Sequence, residues 1–338
     1  MQKDFHFYTI YTLCRTAGLD TKTSQVIAYA SQYTDDAKYG SVLTFQHGGR
    51  YRQIMTAHRF LDIGALSKDT FYTIFVPFHF LPGMVPKPES FYEKLVCKAN
   101  SQIAQEMMAE VLSATYKPYF LHRLGIGLHT YADTWAHQHF SGVLREENNI
   151  KDIDDHEEET TLKDYFDEAW MQVKSDLIPA IGHGKAGNLP DIPYKTWRYV
   201  NDKQQVIEVN NKERFLEASK MIFEILCTLS NQPPLCSWQQ LEGRIERAFA
   251  YEGSLKERIE AWEAWIEKGV FYIHDEQVRY DEKAWFREAV EVIDSQNGIF
   301  AKKEHFSVSN WKYFQDAAAI QLFYILHELL PKYGIFCG

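Results

Sequence analysis

Three side chains of types that bind metal ions recur four residues apart near the middle of the chain. His129, Asp133 and His137 lie in FLHRLGIGLHTYADTWAHQHFSG, which covers residues 120–142. At about 100° per residue, these three positions fall within an arc of roughly 80° on a helix. Imidazole and carboxylate are ligands that Zn²⁺, Mn²⁺ and Fe²⁺ accept. The spacing predicts a helix over 120–142 with a row of metal ligands; the alternative is a metal-free, hydrogen-bonded network of the same residues.

The same stretch contains residues that would support such a site. Gly125 and Gly127 each cost about 1 kcal/mol in a helix relative to Ala, so their presence predicts close backbone packing beneath the ligand row. His122 projects close to the same arc, whereas His139 lies on the opposite side of the helix. Both are candidates to orient the ligands by hydrogen bonding.

Two further candidate ligands lie in loops on either side of this helix. His79 stands between two phenylalanines, after TFYTIFVPF, and precedes a Leu-Pro-Gly turn. Residues 70–80 are aromatic and β-branched, which predicts a short strand or extended segment that delivers His79. His183 lies between two glycines, where exposed backbone commonly carries functional side chains. For both histidines a structural role is an equal alternative, and Asp191 is a weaker candidate.

The N-terminal segment adds the remaining candidates. Amphipathic helices are predicted over residues 5–17 and 22–33, and two helices with a short link pack antiparallel. That packing would bring His6 close to the acidic pair Asp35 and Asp36. The alternatives are that the aspartates are ordinary helix-end residues and that the histidine is structural.

Composition limits the class of protein. The 338 residues carry a net charge of −10, which argues against nonspecific binding to nucleic acid or an anionic membrane. A small phosphate ester bound at metal ions stays compatible, because the ions supply positive charge. There is no apolar signal segment, and the apolar run 317–330 is too short and polar to span a bilayer, so a cytoplasmic protein without a transmembrane segment is predicted. The five scattered cysteines predict reduced thiols outside the chemistry.

Repeated helical periods and few alternating segments predict an all-α protein. We expect a metal-binding helical domain over residues 1–233 and a helical extension over 234–338 packed on it, because Asn-Gln-Pro-Pro at 231–234 is the clearest linker. The acidic residues 146–167 are predicted to form a solvated loop followed by a charged helix face rather than a second metal cluster. Further helices are predicted over 99–114, 212–230, 238–250, 255–267, 281–293 and 310–330.

Two resemblances follow from these motifs. The run LGIGLH at 124–129, with Asp133 and a histidine one turn later, resembles the central helix of the zinc-dependent phospholipase C and P1-type nuclease superfamily. The segments MQKDFH, YTDDA, PFHFLPG, LGIGLHTYADTWAHQHF and GHGKAGNLPDIP together resemble a bacterial family of uncharacterised proteins. The second resemblance spans most of the chain, whereas the first is confined to ligand order and one helix.

The phospholipase resemblance implies an all-α bundle around as many as three zinc ions. One ion would be held by Asp35 or Asp36 together with His79, His129 and Asp133. A second would be held by His137 and His183, with an unspecified carboxylate, and a third by His6 with Asp133 as a bridge. One, two or three ions, with Mn²⁺ or Fe²⁺ in place of Zn²⁺, all stay open.

The implied activity is that of a metal-dependent hydrolase, a phosphoesterase acting on a lipid or nucleotide phosphodiester. Asp35 or Asp36 would orient the attacking water. Two alternatives remain: a metal-dependent hydrolase of another bond, and a noncatalytic, metal-stabilised binding or interaction protein. The sequence does not predict an oligomeric state.

Overall fold

The computed structural model describes residues 1–58, 70–84, 88, 90–155 and 182–337. Helices account for most of the regular structure. They are α1 (Asp4–Thr9, π-helical, continued by Ile10–Thr16), α2 (Thr21–Asp36), α3 (Phe71–Phe75, π-helical, continued by Val76–Phe78), α4 (Gln102–Ser113), α5 (Phe120–Ala136), α6 (Asn211–Leu229), α7 (Trp238–Phe249), α8 (Leu255–Glu267), α9 (Ala284–Ala289) and α10 (Asn310–Phe323, continued by Tyr324–Leu329 and Leu330–Lys332).

Side-chain caps explain where several of these helices begin. The carboxylate of Asp20 accepts a hydrogen bond from the Thr23 amide and starts α2. Ser101 caps α4 in the same way. Ser254 starts α8 in a reciprocal capping box with Glu257.

The all-α prediction is wrong, because the described residues also form two β-sheets. A four-stranded sheet has the order β2-β1-β7-β6, and a three-stranded antiparallel sheet has the order β3-β4-β5. The strands are β1 (Val42–Phe45), β2 (Arg50–Arg52), β3 (Lys151–Asp154), β4 (Thr196–Val200), β5 (Val206–Asn210), β6 (Val290–Asp294) and β7 (Ile299–Lys302).

The sequence pattern does not predict these strands, because each spans only three to five residues. The turn before β7 contains Asn297-Gly298, a hairpin signal, and Gly298 has the positive φ of +64° that such turns require. The pairing of β1 with β7 is parallel and joins distant parts of the chain: Thr44 lies opposite Ile299. A pairing between segments 250 residues apart has no local signature in the sequence.

Three element boundaries also differ from prediction. Residues 71–78 are helical rather than extended, although they still deliver His79. Helix α5 ends at Ala136, so His137 is its C-cap and not part of the helix as predicted. The predicted helix over 281–293 is the short α9 followed by β6.

Helix α5 lies at the centre of the molecule, and every residue from His122 to Ala136 is buried. Helices α2, α4, α6 and α10 pack around it. None of the helices in the described part of the chain is long and apolar enough to cross a membrane. The division at residue 233 stays a prediction, and most of the predicted acidic stretch, residues 156–167, lies outside the described residues.

Candidate metal centre

A close approach of two helices brings the first ligands together. Gly125 of α5 lies against the backbone of α2: a Cβ atom there would sit 2.4 Å from the Ile27 carbonyl oxygen. The glycine therefore permits a separation that a larger residue would prevent. One turn further along α5 is His129, and at the end of α2 is Asp35. The predicted close packing beneath the site is confirmed at this position.

Four ligand atoms converge beside α5: two come from α5 itself, one from α2 and one from His79 at the end of α3. His129 Nε2 lies 3.1 Å from His79 Nδ1 and 3.3 Å from Asp133 Oδ2. His79 Nδ1 also lies 3.3 Å from Asp133 Oδ2. Asp35 Oδ1 lies 3.7 Å from His129 Nε2 and 3.8 Å from His79 Nδ1.

These five separations are close to the edge length of a coordination tetrahedron. Ligand atoms about 2.05 Å from a tetrahedral Zn²⁺ lie roughly 3.3 Å from one another. The five separations within the set run from 3.1 to 3.8 Å. Hydrogen bonds account poorly for the arrangement, because two carboxylates and two imidazoles in one cluster offer more lone pairs than protons. The chemistry of these donors fits a divalent cation.

A second group lies at the end of α5. His137 Nε2 is 3.4 Å from Asp191 Oδ1, and His183 Nε2 is 3.4 Å from Asp191 Oδ2. The three residues form one of the groups with metal-ligand spacing among the described residues. Asp191 is thus a carboxylate that could complete a metal site with these two histidines.

The turn that carries Asp191 is held by a buried amide. Asn211 Nδ2 donates to the carbonyl oxygens of Leu189 and Ile192, at 2.6 and 2.8 Å, which flank the aspartate. Its Oδ1 accepts from the Trp197 indole at 3.3 Å. Because every polar group of this side chain is used, the turn has one preferred position. Sequence reasoning did not single out Asn211.

The third group uses the other oxygen of Asp133. His6 Nε2 lies 3.1 Å from Asp133 Oδ1, and the His6 and His129 rings stack with centroids 3.8 Å apart. The amino group of Met1 lies 2.8 Å from the same oxygen and 3.0 Å from Asp191 Oδ1. Asp133 therefore faces two groups of ligands, one with each carboxylate oxygen.

Backbone carbonyls fix the orientation of three imidazoles. His79 Nε2 donates to Thr56 O, His137 Nδ1 to His79 O, and His183 Nδ1 to Gly187 O, each at 2.8 Å. A carbonyl only accepts, so in the neutral ring the proton sits on that nitrogen and the other nitrogen is free to bind an ion. Metal-binding histidines have this arrangement. The Nδ1 atoms of His6 and His129 are buried without a hydrogen-bond partner among the described residues.

The electrostatics reflect three carboxylates in a buried space. Burial raises the pKa of Asp133, but the Met1 amine and the neighbouring histidines outweigh it and hold that pKa well below its usual range. Burial lowers the pKa of the Met1 amine, yet Asp133, Asp191 and Asp35 raise it to about 11. The pKa of His6 is lowered well below its usual value by burial and by His129. The centre thus accumulates negative charge that attracts cations.

Of the eight site residues predicted from sequence, seven enter these groups and Asp36 does not. Its carboxylate accepts hydrogen bonds from Tyr280 at 2.8 Å and Gln32 at 3.0 Å and pairs with Lys38 at 3.2 Å. The seven that converge are His6, Asp35, His79, His129, Asp133, His137 and His183. No cysteine belongs to any of these groups among the described residues.

The two supporting histidines lie away from the ligands. His122 Nε2 is hydrogen-bonded to Asn310 Oδ1 at 3.1 Å. His139 has a positive φ of 76° and lies beyond the end of α5. In the described part of the chain no hydrogen bond joins either ring to the ligand groups, and their role in orienting ligands stays a prediction.

Fold and site together define a mixed, mainly helical protein whose buried His/Asp clusters could hold metal ions. The chain belongs to the family of unknown function DUF6765, whose sequence model matches residues 1–329. No curated protein and no solved structure matches the chain. The resemblance to a family of uncharacterised proteins is therefore confirmed, and the phospholipase resemblance finds no support in these comparisons.

Proposed function

We propose that this protein is a metal-dependent hydrolase, a phosphoesterase that acts on a phosphodiester at a centre of two or three Zn²⁺ ions. Mn²⁺ and Fe²⁺ accept the same nitrogen and oxygen ligands and are the alternative ions. The observation that carries the proposal is the double use of Asp133, whose two oxygens face different ligand groups. A carboxylate shared in this way supports closely spaced ions rather than one isolated structural ion.

The chemistry follows from general properties of paired ions. Two divalent ions about 3.5–4 Å apart lower the pKa of a coordinated water to near 7 and neutralise charge on a phosphoryl group. The protein must hold them and leave one side open. Asp35 is the most exposed of the candidate ligands, with 31% of its side chain accessible, whereas His129 and Asp133 are fully buried. Substrate would therefore approach from the Asp35 side, where its carboxylate can orient a water molecule.

The primary test measures metal content before activity. Metal-free protein is reconstituted with Zn²⁺, Mn²⁺ or Fe²⁺, and bound ions per chain are determined by mass spectrometry. Hydrolysis of bis(4-nitrophenyl) phosphate is then measured with and without a chelator. We expect at least two ions per chain and turnover that a chelator abolishes.

Asp35→Asn and Asp36→Asn form a matched pair of variants. Both remove one negative charge from the end of α2, but only Asp35 lies among the ligands. We expect Asp35→Asn to lower turnover by about 100-fold or more, in the range for loss of an acid–base group. Asp36→Asn retains the groups that bond Tyr280 and should keep nearly full turnover.

The outcomes separate the competing functions. Metal binding with hydrolysis of a nitrophenyl ester or anilide, but of no phosphate substrate, would indicate a hydrolase of another bond. Metal binding without turnover of any substrate would favour a noncatalytic, metal-stabilised protein. Absence of bound metal would reject the proposal.

A further inference from the structure

Helix α1 lies between the metal centre and the C-terminal part of the chain. Its residue His6 faces Asp133. Asp4, Tyr8, Tyr11 and Arg15 are spaced four, three and four residues apart. They therefore lie on one face of the helix, roughly opposite His6. The polar members of that face all contact residues beyond 250: Asp4 contacts Arg258, Tyr8 contacts Glu263, and Tyr11 and Arg15 contact Asp275.

The most buried of these contacts joins Asp4 and Arg258. Arg258 Nε donates to Asp4 Oδ2 at 2.7 Å, and the two side chains are 3% and 2% exposed. Arg258 Nη2 donates to Gln2 Oε1, and Nη1 donates to the Gly253 carbonyl at 2.7 Å. One guanidinium therefore holds residues on both sides of Lys3, immediately before the turn that carries His6.

The geometry of a guanidinium explains why this contact can set a position. Its donors form a planar, rigid fork, so three acceptors at once fix the direction as well as the distance of the attached segment. Asp4 also accepts from the Phe5 amide through Oδ1 at 3.1 Å, and its carbonyl accepts from Thr9 Oγ1 at 3.0 Å. These bonds stiffen the π-helical turn Asp4–Thr9, in which His6 lies.

We infer that Arg258 is a positioning residue of the metal centre: it holds the start of α1 so that His6 stays within ligand distance of Asp133. The inference rests on the proposed metal centre. It assigns a function to α8, in the part of the chain that contributes no ligand to the described groups.

The test compares Arg258→Gln with a direct ligand variant and a distant control. His6→Gln identifies the ion that depends on His6, and the dissociation constant of that ion is measured by competition with a chromophoric chelator. We expect Arg258→Gln to weaken this ion by about 10- to 100-fold, as loss of a ligand-orienting partner does. The ion held by Asp35, His79 and His129 should keep its affinity. The absorption spectrum of the Co²⁺-substituted protein provides a second readout of the altered coordination.

Arg15→Gln is the matched control, because Arg15 binds Asp275 on the same face of α1 with two hydrogen bonds of 2.7 and 3.2 Å. It lies more than two turns beyond His6. Both arginine variants should lower the Tm, but only Arg258→Gln should change metal affinity and the Co²⁺ spectrum. Should Arg258→Gln fail to fold, Asp4→Asn removes the charge pair at almost constant volume and should weaken the same ion.

Several outcomes would overturn the inference. Parent-like affinity in Arg258→Gln or Asp4→Asn would do so, as would an equal loss in Arg15→Gln or no effect of His6→Gln. In each of these cases the parent still binds metal, so the proposed function survives. If the parent binds no metal, both the inference and the proposed function fail.

Discussion

Asp133 is the residue on which the centre depends most. Its oxygens face His6 and the Met1 amine on one side and His79 and His129 on the other. An isolated buried carboxylate is strongly disfavoured, so it must be compensated by cations or by proton donors. Histidine protons and metal ions are alternative forms of compensation, and one substitution distinguishes them.

Asp133→Asn retains size and hydrogen-bonding capacity but loses the anionic ligand. We expect bound metal to fall by about 10-fold or more, because a neutral amide is a poor ligand for Zn²⁺. Metal per chain after dialysis at a fixed free Zn²⁺ concentration measures the effect. Asp275→Asn, which removes a carboxylate far from the ligand groups, is the control. Unchanged metal content in Asp133→Asn would favour the metal-free polar network.

His122 makes the stability of the fold depend on pH, independently of the metal ligands. Burial lowers the pKa of this imidazole to about 4, although its hydrogen bond to Asn310 raises it in part. The unfolded chain then binds more protons than the folded protein between pH 6.5 and 4, so acidification through this window favours unfolding. The difference of about 2.5 pKa units corresponds to about 3 kcal/mol of stability, present above pH 6.5 and lost by pH 4.

His122→Gln tests this contribution, because its amide can still donate to Asn310 while it does not titrate. The free energy of unfolding is measured by denaturant titration at pH 7 and pH 5. The loss of stability between these pH values should be smaller in the variant by about 1–2 kcal/mol. An identical loss in both proteins would show that His122 is not the titrating group.

At the scale of elements, the contact between α2 and α5 sets the distance between Asp35 and His129. A Cβ atom at Gly125 would lie 2.4 Å from the Ile27 carbonyl oxygen and 2.6 Å from Ala30 Cβ, both of which belong to the rigid body of α2. At Gly127 the nearest atoms are side-chain atoms of α4, Val111 Cγ2 at 3.1 Å and Met108 Sδ at 3.4 Å. An added methyl group at Gly125 would therefore meet atoms of α2 that cannot move separately, whereas one at Gly127 would meet side chains that can shift.

Gly125→Ala should force the helices apart and destabilise the protein by about 1–3 kcal/mol. Gly127→Ala is the matched control, because its gain of about 1 kcal/mol in helix propensity offsets a small side-chain adjustment. Denaturant unfolding measures stability, and Zn²⁺ affinity reports the distance between Asp35 and His129. We expect affinity to fall only in Gly125→Ala, and equal effects of the two variants would contradict this account.

At the scale of the whole molecule, the two ends of the chain share one core. Buried residues from Met1 to Ile335 form a continuous hydrophobic cluster within the described structure. The parallel pairing of β1 with β7 joins residues on either side of the predicted division at residue 233. The contacts of α1 with residues 258–275 do the same. Neither the N-terminal nor the C-terminal part can unfold without exposing apolar surface of the other.

Calorimetry of the full chain should therefore show one cooperative unfolding transition. A chelator should lower its Tm, since ions present at 100 times their Kd add about 2.7 kcal/mol to stability. For a chain of this size the shift should be at least about 4 °C. Two resolved transitions would show separable units, and a Tm indifferent to chelator would remove support for a bound metal.

Most of the candidate ligands could be predicted from local patterns in the sequence. The row His129–Asp133 is a local consequence of helix periodicity, and the loop positions of His79 and His183 mark side chains that are not committed to a helix face. Local geometry was sufficient for these features.

Which of these candidates lie close together depends on the tertiary structure. Asp35 and Asp36 are neighbours at the end of one helix, and their different directions depend on distant partners, His129 for the first and Tyr280 for the second. Asp191 is only a weaker candidate in the sequence; it lies beside His137 and His183 because the side chain of Asn211, twenty residues away, holds its turn. The mixed sheet and the Arg258 contact join segments about 250 residues apart. Such pairings are selected by the burial of the whole chain, which no local pattern encodes.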